Sequence, residues 1–162
     1  MTIDRVGAAW AERAALLRFC RDLGDAEWQT PSAATGWRVQ DVVAHMGSSC
    51  HEMLGPGVLE IIRSKDIESS NDVFVDRRRD WSPGEVLSEY ERWSSRALRL
   101  TGFTARTPLA RAPMKVGELG RFPFGQMLGA LVFDTHIHLR HDIAPVLDRP
   151  APTTDANRIA VV

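Results

Sequence analysis

A chain of 162 residues, 44% hydrophobic and 25% charged, has apolar side chains for one buried core and too little length for two. Lys and Arg total 20 against 21 Asp and Glu, a formal net charge of -1 that offers no field for a polyanion, so neither nucleic acid nor an anionic membrane is expected as a partner. Cys20 and Cys50 form no CxxC pair, an acid stands at Asp4 where a signal peptide would be basic, and no apolar run reaches about 18 residues, which together point to a soluble protein of a reducing cytoplasm.

Val6, Trp10, Leu17 and Cys20 recur at largely helical spacing and predict a first helix over Asp4 to Leu23, with Gly24 as its C-cap. Turn formers fill Thr30 to Gly36, after which Val39, Val42, Val43 and Met46 predict a second helix starting near Arg38. Gly55-Pro56-Gly57 interrupts it before Val58 to Ile62 continues as a helical segment. Ser64 to Asp80 is polar and reads as a surface loop or irregular linker, with Arg77-Arg78-Arg79 solvated at its end. Ser82-Pro83-Gly84-Glu85 has the form of a capping box with Pro at the first helical position, and opens a third helix that continues to Thr101.

From Gly102 to Pro123, proline and glycine break any period, leaving a long connection with an extended stretch at Met114 to Leu119. A fourth helix is predicted from Phe124 to Ile143, ended by Pro145 and Pro150. Thr153 to Val162 reads as a cap followed by the start of another helix, so the natural protein is expected to continue past Val162. The fold class expected is all-α, a four-helix bundle with a long crossover connection.

On a helix turning about 100° per residue, Asp134, His138 and His141 lie within roughly 60° of one another on the face of Met127 and Leu131. His136 falls opposite and reads as exposed. A carboxylate and an imidazole four residues apart form a two-ligand claw, and burying them uncompensated would cost several kcal/mol. A metal ion, a salt bridge to Arg140 or Arg38, or exposure at a bundle end would each compensate them. His45, Ser49 and Glu52 share one face of the second helix, making His45 the natural third ligand. A His/Asp/His set suits Zn²⁺, with Ni²⁺ or Mn²⁺ as alternatives, and three protein ligands leave positions open for water or substrate.

Gly36-Trp37-Arg38-Val39-Gln40-Asp41-Val42-Val43-Ala44-His45-Met46 resembles the "GW-x-V-x-D-V-x-A-H" segment of the DinB-like and mycothiol-dependent maleylpyruvate isomerase-like metal-binding domains. Phe133-Asp134-Thr135-His136-Ile137-His138 is similar to their second segment. The resemblance implies a divalent metal held by His45, Asp134 and His138 inside a DinB-like four-helix bundle, with residues 1–162 as one metal-binding domain. His141 lies outside the family's triad and is a candidate for a group around the metal or against substrate. Asp134 is shorter than a glutamate would be, and those isomerases carry a further C-terminal domain that 162 residues do not accommodate. Maleylpyruvate isomerisation itself is therefore not what the resemblance predicts.

The reading that follows is a metal-dependent transferase that uses a low-molecular-weight thiol of the mycothiol type on a small electrophile. Glu52 or His141 would act as base and Ser49 would orient the substrate. A metal-dependent hydrolase, lyase or cyclase is the second reading, and a non-catalytic bundle binding a small ligand or a partner is the third. Related bundles pair, so a homodimer is compatible with an apolar face on the third helix. Trp10, Trp28, Trp37, Trp81 and Trp93 read as core and loop anchors. The helical phase of Cys50 turns it away from His45.

Overall fold

The Asp4 side chain accepts a hydrogen bond from the Gly7 amide at 2.9 Å and starts α1 (Arg5–Arg21). The computed structural model describes residues 4–154, so all but the first two positions of the segment expected at Thr153 to Val162 lie outside the described residues. α1 buries Ala8, Ala9, Ala15, Leu16, Leu17, Phe19 and Cys20. A short α2 (Asp25–Trp28) follows, with Trp28 buried, and an isolated antiparallel bridge between Pro31 and Arg38 closes the loop.

α3 (Val39–Leu54) opens on an N-terminal box in which the Arg38 amide donates to Asp41 Oδ2 at 2.9 Å. Every residue from Val39 to Ser48 is buried, so α3 is the central helix. It lies along α6 (Pro83–Thr104), which the predicted box starts: Ser82 Oγ accepts from the Glu85 amide and Glu85 Oε2 from the Ser82 amide. Gly47 permits that approach, since a Cβ there would stand 3.2 Å from the Tyr90 amide nitrogen.

Between α3 and α6 the chain forms α4 (Val58–Arg63) and α5 (Ile67–Asp76). The irregular linker expected from Ser64 to Asp80 is thus corrected to a capped helix. Asp66 accepts from the Ser69 amide, and Phe74 and Val75 are buried beneath its polar face. The connection after α6 folds as an antiparallel hairpin, β1 (Pro113–Val116) with β2 (Gly120–Pro123), in place of one extended stretch. Gly117 and Gly120, with φ of 48° and 102°, make its turn feasible.

α7 (Met127–Ile137) then packs against α1 and α6. From His138 to Ile143 the helix widens into a π-helical turn, where a continuous α-helix was expected. The four long helices α1, α3, α6 and α7 form the expected all-α bundle, and Leu139 and Ile143 of the widened turn belong to the same core as Val39, Val42, Val43, Met46 and Tyr90.

Candidate metal centre

His45 lies mid-way along the buried stretch of α3, and Asp134 and His138 face it from α7 and the first residue of the π turn. His45 Nε2 stands 3.6 Å from Asp134 Oδ1, and His138 Nε2 stands 3.3 Å from the same oxygen. All three ligand atoms fall within 4.8 Å of one another. Both Asp134 separations are long for hydrogen bonds. They match the ligand–ligand edge of about 3.3–3.4 Å in a tetrahedral site with bonds near 2.1 Å. The donor set and spacing therefore fit a divalent transition metal.

The surroundings favour that use. Neither arginine considered as a compensating partner pairs with the triad: Arg140 holds Glu12 at 2.6 and 2.9 Å, and Arg38 holds Asp41 at 2.9 Å. Burial pushes the Asp134 carboxyl up, but hydrogen bonds and charge from His138 and His45 outweigh burial and hold it well below the usual carboxylate range. His45 Nδ1 is buried with no hydrogen-bond partner among the described residues.

Packing orients the His45 ring. Trp37 lies tilted against it at 5.0 Å between centroids, and His138 meets it edge-on at 5.1 Å. Trp37 is in turn fixed by its indole N–H, which donates to Asp72 Oδ1 of α5 at 2.9 Å. Trp37 thus does more than anchor a loop.

His138 is held differently. Its Nδ1 lies 2.7 Å from Asp142 Oδ2, and the Asp142 carbonyl accepts from the Ala33 amide at 3.1 Å. The wider turn retards the rotation of the chain, which brings Asp142 beneath His138 and leaves His141 exposed to solvent. Sequence reasoning missed Asp142 because α-helical phase favoured His141. The signal available was the carboxylate four residues after a candidate ligand. A carboxylate on the far nitrogen fixes the tautomer and ring plane, presenting Nε2 to a metal. Asp142→Ala is expected to weaken zinc binding about 10- to 100-fold, read by competition with a chromogenic chelator; an unchanged affinity would remove Asp142 from this role.

Ser49 sits one turn beyond His45, half-buried on α3. Glu52 is drawn elsewhere, its Oε1 lying 3.3 Å from the Arg78 guanidinium. His136 is not exposed, as its phase had suggested. Its side chain is 12% exposed and sits 3.8 Å from Glu12, because α1 covers that face of α7. Burial and the nearby Arg140 charge push its pKa down, with Glu12 opposing them. Cys50 is buried in a narrow space shared with Met46, Tyr90 and Asp134, and burial pushes its thiol up to about 12, as it does for Cys20. Neither thiol has the character of a nucleophile.

A helical bundle that carries a His/Asp/His cluster on two facing helices defines the class of protein. Within that class, the sequence matches the mycothiol maleylpyruvate isomerase N-terminal domain family over residues 9–144, and the chain belongs to it. A search of the curated proteins finds no significant match. Among solved structures, the chain is similar to the crystal structure of the mycothiol-dependent maleylpyruvate isomerase, with a TM-score of 0.70 at 14% identity over 98% of this chain. A histidine-to-alanine mutant of that enzyme gives a TM-score of 0.67 at 14% identity, again over 98% of this chain. In both cases this chain spans 65% of the other's length. The shared architecture is the DinB-like bundle. No helix among the described residues is long and apolar enough to cross a membrane.

Proposed function

We propose that this chain is the metal-binding part of a thiol-dependent enzyme, in which His45, Asp134 and His138 hold a divalent ion, zinc first, and a small thiol of the mycothiol type reacts with a small electrophile. The convergence of His45 Nε2, Asp134 Oδ1 and His138 Nε2 within 4.8 Å carries the reading, and membership of a mycothiol-related family supplies the thiol. An ion bound there supplies Lewis-acid stabilisation of a thiolate at neutral pH.

The chain's own residues do the rest. Asp142 Oδ2 holds the proton of His138 Nδ1, which keeps the Nε2 lone pair toward the cluster. Trp37, against the His45 ring, shields one side of the centre from water. An ion held by His45, Asp134 and His138 would have room for the thiol. Ser49, one turn from His45, is the side chain we assign to orienting the electrophile. In the transfer the thiol loses its proton to solvent, its sulfur forms the new bond to carbon, and the leaving group departs with the electron pair of the bond that breaks.

Zinc-loaded protein incubated with mycothiol and an alkyl halide tests this. The expected result is a thioether that forms faster than in protein-free controls and only with both reactants present. Absence of any thiol-dependent conjugate across the pairs tested, with hydrolysis of an ester substrate instead, would favour the water-activating reading.

A further inference from the structure

We propose a second small-molecule site on the α3/α6 face, centred on His51, that takes a neutral ligand offering a hydroxyl group and one flat ring face. It is independent of the metal centre. His51 is six residues beyond His45 on α3, so its side chain leaves the helix about 240° further round. A cleft of about 570 Å³ opens there, lined by His51, Trp81, Ser88, Glu89, Arg92 and Trp93 among others.

Three layers of structure support the His51 ring. Arg78, 4% exposed, grips the Glu89 carboxylate through Nε at 2.5 Å and a second guanidinium nitrogen at 2.7 Å, and donates to the Phe74 carbonyl at 2.7 Å. Glu89 Oε1 lies 2.7 Å from His51 Nδ1. A carboxylate oxygen accepts, so Nδ1 carries a ring proton and donates it; in the neutral ring Nε2 is then a lone-pair acceptor. Trp93 stacks on the ring at 4.0 Å with planes 13° apart, which fixes its orientation. Among the described residues Nε2 has no hydrogen-bond partner, although the side chain lines the cleft.

This is the arrangement by which a buried carboxylate positions an imidazole ring. The rest of the lining states the ligand chemistry. Trp81 is 36% exposed, giving an aromatic face with Arg78 over its ring at 5.4 Å. Position 84 adds no bulk, since even a Cβ there would meet nothing within 4 Å. Arg78 neutralises Glu89 from behind the cleft, and the remaining charged lining residues, Arg92 and Glu85, are of opposite sign, so the site favours neither anions nor cations. A ring hydroxyl donating to His51 Nε2, with its ring plane on Trp81, satisfies both features.

Phenol and methyl glucoside serve as probes, separating an aromatic ring from a saturated one. Each is titrated into ¹⁵N-labelled full-length protein, reading the His51 ring resonances and tryptophan fluorescence, with and without EDTA. We expect one probe to shift the His51 ring saturably, with the same midpoint in EDTA. His51→Asn and Trp81→Ala should each weaken binding by about tenfold, the order expected for losing a hydrogen bond or a stacking face. Trp81, partly exposed, keeps the test open if the His51 variant does not fold. The proposal is overturned if neither probe saturates, if both variants bind as the parent does, or if EDTA abolishes binding.

Discussion

His45→Ala is expected to lower zinc affinity by about two to three orders of magnitude while leaving the helical content intact. Apparent binding free energies of roughly 10–16 kcal/mol shared among four ligands in structural zinc sites give about 3 kcal/mol per ligand, a factor near 100 or more. Of the three candidate ligands, His45 is the one the bundle can least replace. Asp134 and His138 are neighbours on one helical strip, whereas His45 is the sole member contributed by α3. The truncation also removes a ring that Trp37 and His138 touch, so some loss of stability accompanies it. Metal content by mass spectrometry, with circular dichroism as the fold control, decides the matter. If the folded variant retains zinc at parental affinity, the triad is not the binding site.

The same centre predicts a pH profile for zinc binding. Burial lowers the pKa of His138, but hydrogen bonds and charge from Asp134 and Asp142 raise it more, so the net shift is above the ordinary 6.5. Zinc must displace that proton. Affinity is therefore full above the raised value and falls as pH drops through it, earlier on acidification than for a free imidazole.

The triad was legible in sequence because it needs only helical phase and one matching segment. His45 sits on the apolar face of α3, and Asp134 with His138 repeats at the i, i+4 interval that any α-helix aligns. The capping box at Ser82 and Glu85 was equally local. What could not be read was set by contacts distant in sequence. α5 looks like a polar linker because its burial is confined to Phe74 and Val75 near one end. Arg78, in a triplet that reads as solvated, is buried because Glu89 lies eleven residues later on α6. The π turn depends on how α7 docks, and it placed Asp142 instead of His141 beside His138.

Arg78→Met is expected to cost about 3–5 kcal/mol of stability, the range for removing one partner of a buried ion pair. Arg78 and Glu89 side chains are each 5% exposed, so water cannot readily take over the solvation that the guanidinium supplies. The Phe74 carbonyl loses a donor in the same step, which loosens the end of α5 from the turn that leads to α6. For a chain of this length the loss corresponds to a fall in Tm of roughly 6–20 °C. Replacing both charges, as Arg78→Met with Glu89→Leu, should recover much of it, because the cost lies in the unpaired carboxylate and not in the absence of the pair. His51 then loses its acceptor, so the double variant should be stable yet fail to bind the ring probe. Denaturant unfolding of the two variants separates these effects. A single variant within about 1 kcal/mol of the parent would show that Glu89 is solvated or protonated at little cost, and the support proposed for His51 would go with it.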